Sequence, residues 1–183
     1  IWNDKNIDWT VYDLIILKSP WDYHENIKAF CDWLDMLKKS NLKVLNPVNV
    51  LKWNSNKRYL KEISDKGFAV IPSIYLTKGS SVDDSLFNHF DTEDLVVKPC
   101  VSAGAKNTIT LNRKNITEKS KLVESLLTEE DYLVQPFVKE ISNGEWSYVF
   151  FQRKVQPLHI EKTQTRGFQS SALSWRKYKL SRT

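Results

Sequence analysis

Tyr12 to Leu17 is a short apolar run of strand length, cut off by Ser19-Pro20. After it, Ile27, Phe30, Cys31, Leu34 and Leu37 recur at steps of three and four, which lays them along one face of a helix. Asp22 or His24 can open that helix and Ser40-Asn41 closes it. Val44-Leu45 reads as a second strand, stopped by Pro47. Asn46 to Leu51 then leads into a second helix from about Asn54 to Lys66, ended by Gly67, whose freedom at positive φ suits a helix terminus. Strand, helix, strand, helix is an α/β beginning.

Beyond Gly67 the pattern changes. Phe68 to Leu76 is apolar but interrupted by Pro72, and a short helix is predicted around Val82 to Phe90. Strands are predicted at Leu95 to Val97, Thr108 to Leu111, Tyr132 to Val138 and Trp146 to Phe151, with a helix over Thr117 to Leu127. This half is α+β in character, and no internal repeat or low-complexity linker divides the chain.

With 183 residues, 41% apolar and 12% aromatic, the chain can bury a core as one or two domains. No apolar stretch approaches the roughly 20 residues needed to cross a bilayer, so no membrane partner is expected. The first residues lack a basic start and an apolar run, so no signal peptide is expected; Ile1 in place of Met suggests a start inside a longer protein. Cys31 and Cys100 stand far apart with no ligating neighbour, which fits two reduced thiols and a cytoplasmic location. His24, His89 and His159 share no spacing that makes a metal site or a triad.

The net charge of +5 is unevenly spread. From Arg153 onward eight bases face one acid, Glu161, so that segment carries +7 and the remainder −2. Outside its tail the chain is slightly acidic, and a bound phosphate must be held by placed lysines rather than by a broad basic field.

Lys98-Pro99 follows the apolar run Leu95-Val96-Val97 and precedes Cys100-Val101-Ser102-Ala103-Gly104-Ala105. A lysine ending a buried strand has its ammonium fixed near the sheet, and a loop of small residues lets backbone N–H groups approach a phosphate. Taken alone, the same lysine reads as a solvated charge at an ordinary turn. Two further segments change that reading: Trp53-Asn54-Ser55-Asn56-Lys57-Arg58-Tyr59-Leu60 upstream, and Leu133-Val134-Gln135-Pro136-Phe137-Val138 followed by Gly144-Glu145-Trp146-Ser147 downstream. In order and spacing the three segments resemble the ATP-grasp ligases, in the branch of glutathione-synthetase-like and cycloserine-biosynthesis-like enzymes. The resemblance runs from about Tyr12 to Phe151.

It implies an incomplete ATP-grasp fold: an α/β remnant over 1–50, a nucleotide-binding α+β region over 51–154, and 155–183 without a native fold. It also implies that Lys57 and Lys98 reach the phosphates of ATP from two directions, as point charges that need no planar geometry. Ser102, Ala103 and Gly104 would cover the phosphates. Gln135, Pro136, Phe137 and Val138 would form the hinge that binds adenine, and Glu145 would accept from the ribose hydroxyls. Read from the residues alone, Phe137 is a core aromatic and Glu145 an exposed turn acid.

Trp21, Asp22 and Tyr23 stand where the first strand ends, the edge at which α/β sheets place ligand crevices. Similar proteins show these three residues after an Arg; here Lys18 is the nearest base, which weakens the expected carboxylate clamp. The simpler alternative packs Trp21 on the sheet and has Asp22 cap the helix. Two further departures are Ala103 and Ala105 flanking a single Gly104, which stiffens the loop, and Asn56 where an acid is common, which removes a partner for Lys57.

From Val155 no period is visible. Shifting the reading frame by one base near Arg153-Lys154, with permitted codons, restores a continuation resembling the branch, including a Gly-Asp-Phe-Arg segment. The tail is therefore expected to be out of frame. The resemblance places the carboxylates that hold Mg²⁺, and an Arg that stabilises the transferring phosphoryl group, after this point; no catalytic residue or metal ligand is assigned in this chain. The expected parent activity is ATP-dependent ligation of a small carboxylate to an amine through an acyl phosphate, with ATP and Mg²⁺ as cofactors and catalysis lost here. Nucleic acid is not expected as a partner. The alternatives are a nucleic-acid-binding module using the basic tail, whose affinity would fall steeply with salt, and a non-catalytic ATP-grasp relic.

Overall fold

A computed structural model describes residues 2–18, 20–151 and 154–160, with side chains described as far as Gly144. Two compact units divide at Pro136 and Phe137, where the sequence reading divided the chain at 50 and at 154.

The first unit, 1–136, holds two separate cores. In the earlier one, strands β1 (Ile15–Ile16) and β2 (Val44–Leu45) pair in parallel, Ile15 opposite Val44. Helix α1 (Ile27–Lys39) packs beside them through Phe30, Leu34 and Leu37, each contributing on the order of 2 kcal/mol by burial. Its cap is neither Asp22 nor His24 but Asn26, whose side-chain oxygen accepts from the N–H of Ala29 at 3.0 Å. A 3-10 turn at Tyr23–Asn26 takes up the residues between. The first strand is shorter than the apolar run suggested, because Trp9–Val11 forms a 3-10 turn with Asp8 as its cap.

The helix predicted over 54–66 begins only at Tyr59, as α3 (Tyr59–Asp65), and a separate helix α2 (Val48–Asn54) occupies the stretch expected to lead into it. Side chains compete with the helical ladder at the break. The Ser55 hydroxyl donates to the carbonyl of Lys52 at 2.7 Å, and the Asn56 side-chain oxygen accepts from the N–H of Arg58 at 3.0 Å. Lys57 lies in that break. After α3, Gly67 adopts φ +84°, as a helix end requires.

The later core belongs to a four-stranded sheet in the order β3-β6-β4-β5, formed by Ile74–Leu76, Tyr132–Pro136, Asp94–Pro99 and Ile109–Asn112, with every pairing antiparallel. Helix α4 (Ile116–Leu126) follows β5, and a 3-10 turn replaces the helix expected near Val82 to Phe90. Leu95, Val97, Leu111, Tyr132 and Val134 form one core with Val123 and Leu127. Strand β3 starts only at Ile74 because Pro72 offers no N–H to a ladder, and the Ser73 hydroxyl instead donates to the carbonyl of Ile71.

In the second unit, β7 (Glu145–Phe151) pairs antiparallel with β8 (Lys154–Ile160), from Phe151 opposite Lys154 to Glu145 opposite Ile160. The sequence pattern showed no strand here; pairing rather than period defines β8, and Pro157 is tolerated because each strand of a two-stranded sheet is an edge. Residues 161–183, and with them most of the out-of-frame reading, lie outside the described residues.

Candidate functional site

Strand alternation decides where Lys98 points. Along β4 the residues Leu95, Val97 and Pro99 are buried on the core side, so Val96 and Lys98 face the other way. The direct cross-strand partner of Lys98 is Leu133 and that of Val96 is Gln135, both deeply buried, and Thr110 stands opposite Val96 on β5. Lys98 thus emerges half-buried from a covered face, and the loss of water holds its ammonium below the ordinary lysine range.

Lys57 approaches from the α2–α3 break. Its ammonium donates to the carbonyls of Pro99 at 3.0 Å and Ser102 at 3.2 Å, and to the Ser102 hydroxyl at 2.7 Å. Its N–H donates to the carbonyl of Cys100 at 2.8 Å, and its own carbonyl accepts from the Tyr75 hydroxyl at 3.1 Å. Burial first, and then repulsion from the Lys98 ammonium, push Lys57 down to about 8. The Lys57 ammonium is bonded to the carbonyl of Pro99, the residue after Lys98, so the two lysines meet at the end of β4. Among the described residues neither forms a salt bridge. The Glu130 carboxylate favours the Lys57 ammonium without forming an ion pair with it, and two half-buried cations are relieved further by an arriving anion.

The loop that follows β4 supplies the other half of an anion site. Ser102 and Ala103 are half-buried and Gly104 is exposed. Gly104 has φ +62°, and Ala105 and Asn107 also adopt left-handed backbone at +58° and +53°. The carbonyls of Ala103 and Ala105 accept from the N–H groups of Lys106 and Thr108 and close the turn. None of the described groups accepts from the N–H of Ala103, Gly104 or Ala105. Successive free N–H groups in a left-handed turn make an anion-binding concavity.

The remaining sequence candidates are placed differently. The Gln135 side chain is 3% exposed and donates to the Ser73 hydroxyl at 2.8 Å, tying β6 to the segment before β3. Pro136 ends the first unit, Phe137 begins the second and is half-buried, and Val138 is exposed. Glu145 opens β7 directly after Gly144, which has φ +106°. Trp21, Asp22 and Tyr23 separate: Tyr23 packs on the first core, Asp22 accepts from the Trp2 indole N–H at 2.7 Å, and Trp21 is 58% exposed. The alternative of Trp21 packed on the sheet and Asp22 capping the helix is therefore corrected, since Asp22 makes no side-chain cap bond.

Three residues that sequence reasoning missed surround Lys57. Arg58 Nη2 donates to Asp131 Oδ2 at 2.8 Å, its guanidinium lies 5.2 Å from the Tyr75 ring centroid, and Asp131 Oδ1 also accepts from the Lys78 N–H at 3.0 Å. The expected loss of a Lys57 partner at Asn56 is made good by the loop itself, through Pro99 and Ser102. The residues present fit a polyphosphate. Among the described residues no group of three or more His, Cys, Asp or Glu converges. Both cysteines are free, and no described helix is long and apolar enough to cross a membrane.

The family described as the N-terminal domain of D-cycloserine synthetase DcsG matches residues 1–46. Over 159 residues the chain is 27% identical to the cycloserine biosynthesis protein DcsG of Streptomyces lavendulae, which covers 82% of this chain and 52% of that protein. The crystal structure of D-cycloserine synthetase DcsG superposes with a TM-score of 0.78 at 25% identity, covering 87% of this chain and 56% of that one. The D-alanine–D-alanine ligase of Bacillus anthracis complexed with ATP superposes with a TM-score of 0.63 at 13% identity, covering 94% and 54%; at that identity the likeness is one of fold alone. The chain spans about half the length of these relatives.

Proposed function

We propose that this chain, similar to cycloserine synthetase over the half of that enzyme it spans and folded like the ATP-grasp ligases, forms the phosphate-binding part of an ATP-dependent carboxylate–amine ligase. The observation that supports this reading is the pair of half-buried ammonium groups, Lys57 from the α2–α3 break and Lys98 from the end of β4, set beside a loop with free N–H groups. Lys57 and Lys98 would hold the phosphates and offset their charge, while the N–H groups of Ala103 and Gly104 would orient them. Bound ATP would supply the phosphoryl group that activates a carboxylate toward an amine. Backbone groups at Gln135 and Pro136, at the end of β6, would receive the adenine.

The chain as given is proposed to bind nucleotide without completing ligation. Support for this comes from the segment Arg153 to Thr183, whose single acid, Glu161, gives these residues few carboxylates to offer a metal. Isothermal titration with Mg²⁺·ATP tests the binding. Lys98→Ala should weaken it at least about tenfold, the worth of hydrogen bonds to a charged group; equal affinity in the two proteins overturns the reading. Phosphate release that rises when amino acids are added would overturn the proposed loss of turnover.

A further inference from the structure

We infer that Asp131, Arg58 and Tyr75 form a positioning frame for the Lys57 ammonium, a role that rests on Lys57 meeting a nucleotide phosphate. The frame is a closed circuit across four segments of the first unit. The carbonyl of Asp131 accepts from the N–H of Cys100 at 2.9 Å, and the carbonyl of Cys100 accepts from the N–H of Lys57 at 2.8 Å. The carbonyl of Lys57 accepts from the Tyr75 hydroxyl at 3.1 Å, the Tyr75 ring carries the Arg58 guanidinium at 5.2 Å, and Arg58 returns to the Asp131 carboxylate at 2.8 Å. The N–H and the carbonyl of Lys57 are thereby both tied toward the sheet, and the carbonyl also accepts from the N–H of Leu60 in α3 at 3.1 Å.

That matters because Lys57 lies between α2 and α3, where its N–H has no helical partner and only its carbonyl, through Leu60, joins a helical turn. A lysine in an interrupted helix has a mobile backbone unless tertiary bonds replace the missing ladder. Here β3 supplies one bond through Tyr75 and the end of β4 supplies the other through Cys100. The carboxylate of Asp131 has a second duty: it accepts from the N–H of Lys78, so the turn after β3 and the start of α3 share one anchor. Burial keeps the Tyr75 hydroxyl protonated and therefore a donor, while the Arg58 partner holds Asp131 ionised, below the ordinary carboxylate range. Neither Asp131 nor Tyr75 is bonded to the Lys57 ammonium, so both act through its backbone.

A double-mutant cycle and a titration test the frame. Tyr75→Phe keeps the ring and removes one hydroxyl; it should weaken ATP binding about fivefold. In a Lys57→Met background the same change should cost less than about twofold, since coupled effects do not add. NMR of the reductively methylated protein, with Lys57 assigned by mutation, should find it titrating near 8 in the native chain, under the influence of Lys98, Cys100 and Glu130. In Tyr75→Phe and in Asp131→Asn it should move up toward 10.5 as the ammonium gains water. Equal losses of ATP affinity in both Lys57 backgrounds, or a titration unmoved by either variant, overturn the inference. A titration that moves in a chain that does not bind ATP supports the frame and overturns the nucleotide reading alone.

Discussion

The Lys57 ammonium holds the Ser102 hydroxyl at 2.7 Å and, through Pro99 and Ser102, two carbonyls of the same loop. On the proposed reading, the lysine that would meet a phosphate is thus bonded to the loop that would cover it. Binding then exchanges oxygens of the chain for oxygens of the ligand, and the net gain is the difference between the two sets.

The first prediction concerns the loop. Lys57→Met keeps the length of the side chain and removes all three donors, leaving the carbonyls of Pro99 and Ser102 without this partner. Amide exchange at Lys106 and Thr108, whose N–H groups close the turn, should quicken several-fold in the variant, while exchange in β4 and β6 stays slow because their ladder is intact. Hydrogen-exchange mass spectrometry reads both segments at once. Unchanged exchange in the loop counts against the hold.

The second concerns pH. Lys57 falls to about 8 in the folded chain against 10.5 for the free side chain, so the unfolded chain binds more protons between those values. The stability this group contributes is lowest below about 8 and rises with pH through that window. Nucleotide affinity has the opposite sign. Phosphate favours the ammonium, so affinity is full below about 8 and falls as pH rises through it. At pH 8 the complex should take up about half a proton, visible by calorimetry in two buffers of different ionisation enthalpy. Lys57→Met should abolish the uptake, and a native chain without uptake would contradict the assignment.

What the sequence revealed of this site, and what it hid, follows from how local each signal is. The apolar run Leu95 to Val97 and the three-and-four spacing of Phe30, Leu34 and Leu37 are short-range patterns, and the structure places them in a strand and on one helix face. The resemblance located Lys57 and Lys98, which no periodicity would have joined. The break at Ser55 and Asn56 escaped because it arises from side chains bonding to their own backbone, which a helical pattern does not register. Arg58 and Asp131 escaped for another reason: 73 positions separate them, and an Arg or an Asp in a polar stretch is ordinarily a solvated charge.

The third prediction concerns Cys100. Its side chain is 1% exposed, and burial pushes its thiol up to about 11, with Arg58 and Lys57 offsetting only part of that. Since the thiolate is the reactive form, Cys100 should resist alkylation at pH 7.5 in the folded chain. Cys31, half-buried and also raised, should react first. Peptide mapping after timed iodoacetamide treatment gives the order. Faster labelling at Cys100 would show that the end of β4 opens.

The fourth concerns the stiff loop. Ala105 adopts φ +58°, where its Cβ crowds the following carbonyl oxygen at a cost of about 1 kcal/mol; glycine has no such clash. Part of that gain is lost again, because glycine gives the unfolded chain more freedom, about 0.5 kcal/mol. Ala105→Gly should therefore raise stability only slightly, by about 0.5 kcal/mol in urea denaturation. Its larger effect should fall on nucleotide binding, since a loop that turns more easily toward a phosphate makes a shallower but faster exchange with Lys57. Stopped-flow binding should show association quickening while the equilibrium constant moves less than about threefold, a change of under about 0.7 kcal/mol. A fall in stability on this substitution would mean that the left-handed turn at Ala105 is not the conformation the loop holds in solution.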